Sequence, residues 1–177
     1  MSKKAQPQKA LLVIDLQNDY FPGGKFPLWN IEQTLANIKM AITKANQQNI
    51  PVIHIQHLAD PAMGLAPFFN EDTQGAEIHP EILAAAPQGE VVIKHFADSF
   101  EQTNLEQVLS CQGVDELLVC GMMTQNCVTH TAISKAAEKY KVSMLMDCCT
   151  TVDEMIHNIA LHAVSTQVEL VTSEQML

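Results

Sequence analysis

The sequence predicts an α/β protein in which a doubly wound parallel sheet is covered by helices on both faces, giving three layers. Short apolar stretches of strand length alternate with segments whose apolar residues recur at helical spacing. The first stretch contains almost no polar residue, which is typical of a strand buried on both faces of a parallel sheet. The length of 177 residues suits one domain, 1–177, and no repeat or low-complexity segment divides it.

Six apolar stretches are predicted to be strands. They span residues 10–16, 52–55, 91–94, 116–120, 142–146 and 168–172. After the first strand, a polar and then Pro/Gly-rich segment predicts a loop. Apolar residues at Ile31, Leu35, Ile38 and Ile42 then recur at helical spacing and predict a surface helix.

The later connections carry helix and loop signals of different kinds. Capping-box patterns at 103–106 and 151–154 predict the starts of two helices. Residues 128–140 form an alanine-rich run that predicts a helix directly after Cys127. Residues 56–80 are irregular and rich in Pro, Gly and Phe, so we expect a loop that covers a site.

The composition narrows the class of partner. Apolar residues make up 47% and charged residues 17%, which indicates a compact globular chain. A net charge of −10 argues against nucleic acid and anionic membranes, because their phosphates would be repelled. The chain shows no apolar signal segment and no apolar run long enough to span a bilayer. We therefore expect a cytoplasmic protein that acts on a small molecule.

Three residues with useful chemistry fall at or just beyond the carboxyl ends of predicted strands. They are Asp15 after the first strand, Lys94 at the end of the third and Cys127 after the fourth. Ligands of open parallel sheets bind at this edge, so the three side chains are expected to converge. An acid, a cation and a thiol suffice for acyl transfer. Taken singly, each has a structural explanation: a turn cap, a solvated lysine and a core cysteine.

The expected position of Cys127 at the start of a helix favours negative charge on sulfur. We therefore expect a stabilised thiolate that reacts with an alkylating reagent near neutral pH before the other four cysteines. The five cysteines are odd in number and lack two separated Cys-x-x-Cys pairs, so neither a disulfide framework nor a zinc site is indicated.

The blocks around these residues resemble one family over nearly the whole chain. The similar segments are 13–21 with Asp15, 75–78, 94–105 with Lys94, and 121–132 with Cys127. They resemble the isochorismatase-like cysteine hydrolases. This resemblance implies a six-stranded parallel sheet and a homo-oligomer, either a dimer or larger. It also implies a cis peptide between Met122 and Met123, with the N–H groups of Met123 and Cys127 forming an oxyanion hole.

The resemblance also implies which type of bond is cleaved. Members that keep the cysteine cleave C–N bonds, so it implies hydrolysis of a small amide, urea or carbamoyl compound through a thioester on Cys127. One alternative is an isochorismatase-type ether hydrolase, although those members generally lack the cysteine. Another is a non-catalytic small-molecule-binding member of the same fold. A nucleotide-binding protein of the doubly wound class is disfavoured because Gly23 and Gly24 do not supply a Gly-x-Gly-x-x-Gly motif.

The resemblance predicts neither a metal nor another cofactor. Nicotinamidases of the family carry an Asp-x-His metal motif, and the matching positions here are His57 and Ala59, so the motif is broken. Alternation along the strand sends His54 and His57 to opposite faces. A site formed by other combinations of His54, His57, His79 and Asp60 stays open at this point.

Three aromatic residues are candidates for the walls of a substrate pocket. They are Phe21, Trp29 and Phe96, each in a predicted loop. Simple packing explains aromatic residues in such loops nearly as well.

Overall fold

A computed structural model describes residues 8–177 and places a six-stranded, all-parallel sheet at the centre of the protein. The strands are β1 (Lys9–Ile14), β2 (Val52–His57), β3 (Glu90–Lys94), β4 (Glu116–Met122), β5 (Lys141–Thr150) and β6 (Glu169–Val171). The helices are α1 (Ile31–Gln47), α2 (Pro80–Ala85), α3 (Leu105–Cys111), α4 (Thr129–Ala132), α5 (Glu154–Val164) and α6 (Ser173–Met176). The predicted fold class is confirmed.

The apolar run of the first strand explains its central place. Every residue from Ala10 to Ile14 is buried, because helices cover both faces of β1. Burying one Leu or Ile side chain contributes about 1.5–3 kcal/mol relative to leaving it exposed. In α1, Ile31, Ile38 and Ile42 of the predicted stripe are buried, and Leu35 is half-buried.

The strand order places the edge at which a ligand is expected. The order is β3-β2-β1-β4-β5-β6, so the chain first adds strands on one side of β1 and then crosses to the other side with β4. The order therefore reverses between β1 and β4. The carboxyl ends of these two strands frame the crevice in which α/β proteins of this kind bind ligands.

The single helix predicted for 128–140 is wrong. The chain instead forms a π-helical turn at Thr124–Val128, the short α4, and a 3₁₀ turn at Lys135–Lys139. Ser134 separates the last two, because its hydroxyl donates to Asp98 Oδ2 at 2.6 Å and accepts from the Ala136 N–H. A serine side chain that bonds locally competes with helical continuation.

The two predicted capping boxes are also wrong in detail. Helix α3 begins after Asn104, and the Thr103 hydroxyl accepts from the Leu105 N–H rather than from an N–H three residues further on. Helix α5 begins after Asp153, whose carboxylate accepts from the Ile156 N–H at 2.8 Å. The helices lie where the pattern placed them, but their N-cap residues are Asn104 and Asp153, and of these two only Asp153 caps its helix through its side chain.

The long loop and the lengths of the helices test two further expectations from the sequence. Segment 58–79 contains only turns, in agreement with the predicted long loop. Within residues 8–177, no helix combines the length and the apolar character that crossing a bilayer requires.

Gly121 allows β1 and β4 to approach each other closely. Its φ is +122°, and a Cβ atom there would lie 2.1 Å from the Ile14 carbonyl oxygen. Gly113 has a φ of +64°, but a Cβ there would meet no atom within 4 Å. Gly113→Ala therefore tests backbone strain alone, whereas Gly121→Ala adds a clash with the paired strand.

We expect Gly121→Ala to lower the free energy of unfolding by more than about 3 kcal/mol, because strain and overlap add at one position. Gly113→Ala should cost only about 1 to 2 kcal/mol. Urea unfolding followed by circular dichroism measures both. Equal losses in the two variants would show that the close approach to Ile14 is not what requires glycine.

Candidate active site

The carboxyl edge of the sheet brings Asp15, Lys94 and Cys127 together. Asp15 directly follows β1, Lys94 ends β3, and Cys127 lies in the π-helical turn after β4. Asp15 and Lys94 are 0% exposed and Cys127 is 2% exposed. The three residues therefore form a buried cluster inside the crevice between β1 and β4.

Lys94 is the centre of this cluster. Its Nζ lies 3.0 Å from Asp15 Oδ2, 3.2 Å from Cys127 Sγ, 2.9 Å from His57 Nδ1 and 3.1 Å from the Phe96 carbonyl oxygen. A buried ammonium is costly unless such groups replace its lost water. Burial lowers the pKa of Lys94, but Asp15 and Cys127 outweigh this and raise its pKa above the usual value. Lys94 therefore stays a cation.

Asp15 is held in an uncommon backbone conformation. Its φ is +56°, in the left-handed region that non-glycine residues rarely adopt. Its N–H donates to the Ile55 carbonyl at 3.0 Å, and its own carbonyl accepts from the Gln17 N–H at 2.8 Å. Within the described chain, Oδ1 of the carboxylate is buried and accepts no hydrogen bond. One oxygen of Asp15 is thus bound to Lys94 and the other is free to accept a proton.

The expected stabilisation of the Cys127 thiolate is wrong for the resting site. Burial raises the pKa of the Cys127 thiol, Asp15 raises it further, and Lys94 lowers it without reversing the shift. The thiol lies in a short π-helical turn between Thr124 and Val128, so the long helix that was expected to favour the anion is not formed. Without substrate, the sulfur is protonated.

His57 is the site residue to which sequence reasoning assigned no role. Its ring faces Lys94. Burial lowers the pKa of His57 to about 4, and the charge of Lys94 lowers it as well, so the ring is neutral. Gln17, which is fully buried, binds both backbone groups of His57: Nε2 donates to its carbonyl at 2.7 Å and Oε1 accepts from its N–H at 2.8 Å. His57 ends β2 in the structure, two residues beyond the predicted end of that strand at residue 55, so the strand-end signal that indicated Lys94 did not reach it.

The cluster does not fit a metal ion. Asp15, His57 and Cys127 each offer one ligand atom, and these atoms lie within 4.8 Å of one another. Carboxylate, imidazole and thiolate are common zinc ligands. However, the Lys94 ammonium already contacts all three residues at 2.9–3.2 Å, so a cation would have to displace it.

The other candidate ligands lie elsewhere. The ring of His54 contacts the Ala86 carbonyl at 3.0 Å on the opposite face of β2, as strand alternation predicted. His79 caps α2 and Asp60 caps a 3₁₀ turn, each by accepting a backbone N–H. Neither His54, His79 nor Asp60 joins the ligand group formed by Asp15, His57 and Cys127.

The turn before Cys127 is firmly held. The peptide between Met122 and Met123 is cis, at the position that the resemblance implied. Within residues 8–177, the Met123 N–H donates no hydrogen bond. The next residue, Thr124, donates from its hydroxyl to the Thr150 carbonyl at 3.0 Å and contacts His157 Nδ1 at 2.9 Å. A free backbone donor thus lies one residue from a rigid anchor.

The three aromatic residues lie in different surroundings. Phe96 follows Lys94, binds its ammonium through the backbone carbonyl, and leaves its side chain 39% exposed. Trp29 packs near His157, with ring centroids 5.8 Å apart. Phe21 stacks on His79 at 4.2 Å.

A groove of about 890 Å³ lies between the loop after β1 and the segment that follows β2. Its lining includes Phe21, Gln56 and His79 but none of Asp15, Lys94 and Cys127. This structure therefore associates Phe21 with this groove and Phe96 with the cluster.

Known proteins share both the sequence and the fold. A model of the isochorismatase domain matches residues 9–175. The isochorismatase family protein YddQ of Bacillus subtilis is 39% identical over 142 residues, which cover 80% of this chain and 77% of that protein. Nicotinamidase of Escherichia coli is 28% identical, with 83% and 85% covered. The crystal structure of an isochorismatase family protein from Desulfovibrio vulgaris has the same fold, with a TM-score of 0.87, 24% identity, and 97% of both chains covered.

The charges around Cys127 predict how its reactivity responds to mutation. Asp15→Asn removes the anion that raises the thiol pKa, so alkylation of Cys127 at a fixed, mildly alkaline pH should accelerate about tenfold per unit of pKa lost. Lys94→Met should slow it. Peptide mapping by mass spectrometry measures the rates, and the exposed Cys111 is an internal reference for the reagent. Slower labelling in Asp15→Asn would contradict the assigned electrostatics.

The position of Lys94 among the candidate ligands predicts independence from metals. After dialysis against zinc and then buffer, purified protein should contain well below one equivalent by elemental analysis. A strong chelator should leave the melting temperature unchanged, because the Lys94 ammonium already joins Asp15, His57 and Cys127. Stoichiometric metal, or a lower melting temperature on chelation, would show that a metal ion does displace the Lys94 ammonium.

Proposed function

Since the chain belongs to the isochorismatase family, whose members are hydrolases, we propose that it is a cysteine-dependent hydrolase that cleaves the C–N bond of a small amide, urea or carbamoyl compound. Cys127 is the nucleophile, Asp15 the general base and acid, and Lys94 the cation that holds them. The similarity to a nicotinamidase, an enzyme named for hydrolysis of an amide, supports this choice of bond.

One observation carries the proposal: a single buried ammonium contacts both a carboxylate and a thiol, at 3.0 and 3.2 Å. This arrangement joins a proton acceptor, a nucleophile and a stabilising charge within hydrogen-bond reach of one atom. A merely structural ion pair between Lys94 and Asp15 would gain nothing from a thiol beside it, since a thiol is a weak acceptor.

The raised thiol pKa determines how the first step proceeds. The thiol proton passes to Asp15 as the sulfur attacks the substrate carbonyl carbon, so a free thiolate does not accumulate beforehand. Asp15 becomes neutral and the negative charge moves onto the substrate, while Lys94 remains a cation. The net charge of the buried cluster is the same before and after the proton transfer, which avoids charging a dry site.

The negative charge then develops on the former carbonyl oxygen. The backbone N–H groups of Met123 and Cys127 are the proposed donors to it. Removing one such donor typically costs about 2.7–4 kcal/mol of transition-state stabilisation. The unpaired Met123 N–H is already available for this role, so no hydrogen bond has to break before it can act.

The remaining steps return the site to its starting state. Protonated Asp15 gives its proton to the leaving nitrogen, the C–N bond breaks, and a thioester remains on Cys127. Asp15 then takes a proton from water as that water attacks the thioester carbon, and it passes this proton to the departing sulfur, which leaves as a thiol. The acyl product and the amine or ammonia are released.

Substitution of the two proton-handling residues tests the assignment. With a panel of primary amides and ureas, Cys127→Ala should abolish ammonia release, and Asp15→Asn should reduce it at least about 10²–10⁴-fold. The double variant should lose no more activity than Cys127→Ala alone, because the effects of substituting residues that act as one unit are not additive.

Matched controls are available on the surface. Cys111→Ala removes an exposed thiol and Asp115→Asn an exposed carboxylate, and both should keep the parent rate. Near-normal turnover by Asp15→Asn or Cys127→Ala on a substrate of the parent protein would refute the proposed roles.

A further inference from the structure

Lys94 has more hydrogen-bond acceptors than N–H groups to give them. A protonated lysine carries three N–H donors. Four acceptor atoms lie within 3.2 Å of its Nζ, and they belong to Asp15, His57, Phe96 and Cys127. One of these four goes without a full hydrogen bond at any moment.

Two of the acceptors keep their hydrogen bonds to the ammonium throughout. Asp15 Oδ2 is an anion in a fully buried pair with Lys94, at 3.0 Å. The Phe96 carbonyl belongs to the backbone two residues along the chain and accepts at 3.1 Å. His57 Nδ1 and Cys127 Sγ are therefore alternative acceptors for the third N–H. While the sulfur is protonated, it is the weaker acceptor of the two.

His57 is built to hold a fixed position beside Lys94. The two residues are register partners on the neighbouring strands β2 and β3. Gln17 binds both the N–H and the carbonyl of His57, and it also donates to the Ala76 carbonyl at 2.7 Å. An acceptor held this rigidly directs an N–H group better than a mobile one does. For Nδ1 to accept from the ammonium, the ring proton must lie on Nε2.

We infer that His57 is a positioning residue that holds the third N–H of Lys94 while Cys127 is a thiol and releases it to the sulfur as the thiol gives up its proton. The inference rests on the proposed function of Cys127 and Asp15. In the step itself the S–H bond breaks, the proton goes to Asp15, and the N–H···N bond of Lys94 is replaced by N–H···S. His57 neither gains nor loses a proton, so it acts only through Lys94.

Two substitutions whose side chains share one branched heavy-atom skeleton separate this role from simple packing. His57→Asn keeps an acceptor near the position of Nδ1, whereas His57→Leu removes it. With leucine, the third N–H has no other partner than the sulfur, so thiolate formation no longer requires breaking a Lys94–His57 bond. We expect Cys127 in His57→Leu to be alkylated about tenfold faster than in His57→Asn or the parent, which corresponds to one unit of thiol pKa.

The rates are measured by peptide mapping at one mildly alkaline pH, with Cys111 labelling in the same digests as the reference. Because the side chains of leucine and asparagine have the same number and branching of heavy atoms, both open the space around the sulfur at the same positions. Faster labelling of Cys127 confined to His57→Leu supports the inference. Equal rates in the three proteins, equal absence of labelling, or slower labelling in His57→Leu overturn it.

A second measurement needs no variant that removes the acceptor. Nitrogen NMR of histidine-labelled protein distinguishes protonated from bare ring nitrogens, and the loss of one of seven histidine signals in His57→Asn assigns the resonance. A bare Nδ1 with a protonated Nε2 is expected, and a protonated Nδ1 overturns the inference. Neither measurement uses turnover, so failure of the ammonia-release assay would refute the proposed function and leave these results readable on their own.

Discussion

The need to hold one buried ammonium explains much of the arrangement at the carboxyl edge of the sheet. Stripping an ammonium of water costs several kcal/mol unless protein groups replace the lost hydrogen bonds. Lys94 enters from β3, and its Nζ is bound by a residue after β1, one at the end of β2, one after β3 and one after β4. These are four neighbouring strands of the sheet. A shift of any one of them would change which acceptors the buried ammonium binds.

The nucleophile depends on a second, neutral network. Cys127 lies in a π-helical turn, and that turn is anchored through Thr124 to β5 and to His157 of α5. Because the Thr150 carbonyl can only accept, the Thr124 hydroxyl donates to it and therefore accepts from His157 Nδ1–H. Burial lowers the pKa of His157, which keeps this ring neutral. Strand β5 and helix α5 thus fix the turn that carries the cysteine.

Burial also determines when the chemistry is possible. The resting cluster contains an anion, a cation and a neutral thiol, and moving one proton from sulfur to carboxylate leaves its net charge unchanged. Cys127 is 2% exposed, so the sulfur lies in a site from which water is largely excluded. The proposed mechanism therefore has the Cys127 thiol react only when a substrate carbonyl is bound in this buried site.

The sequence by itself determined the fold class, the strands, and the candidates Asp15, Lys94 and Cys127. Apolar periodicity is a local signal, and a chemically active residue at a strand end is visible in the chain. Only the tertiary structure decided which of the histidines meets Lys94, because His54 and His57 differ in the face of β2 on which they lie and in what covers that face. The break of the predicted helix at Ser134 depends on Asp98, a distant residue that local propensity does not include. The sign of the Cys127 pKa shift was likewise not local: it follows from burial and from a carboxylate brought close only when β1 and β4 pair.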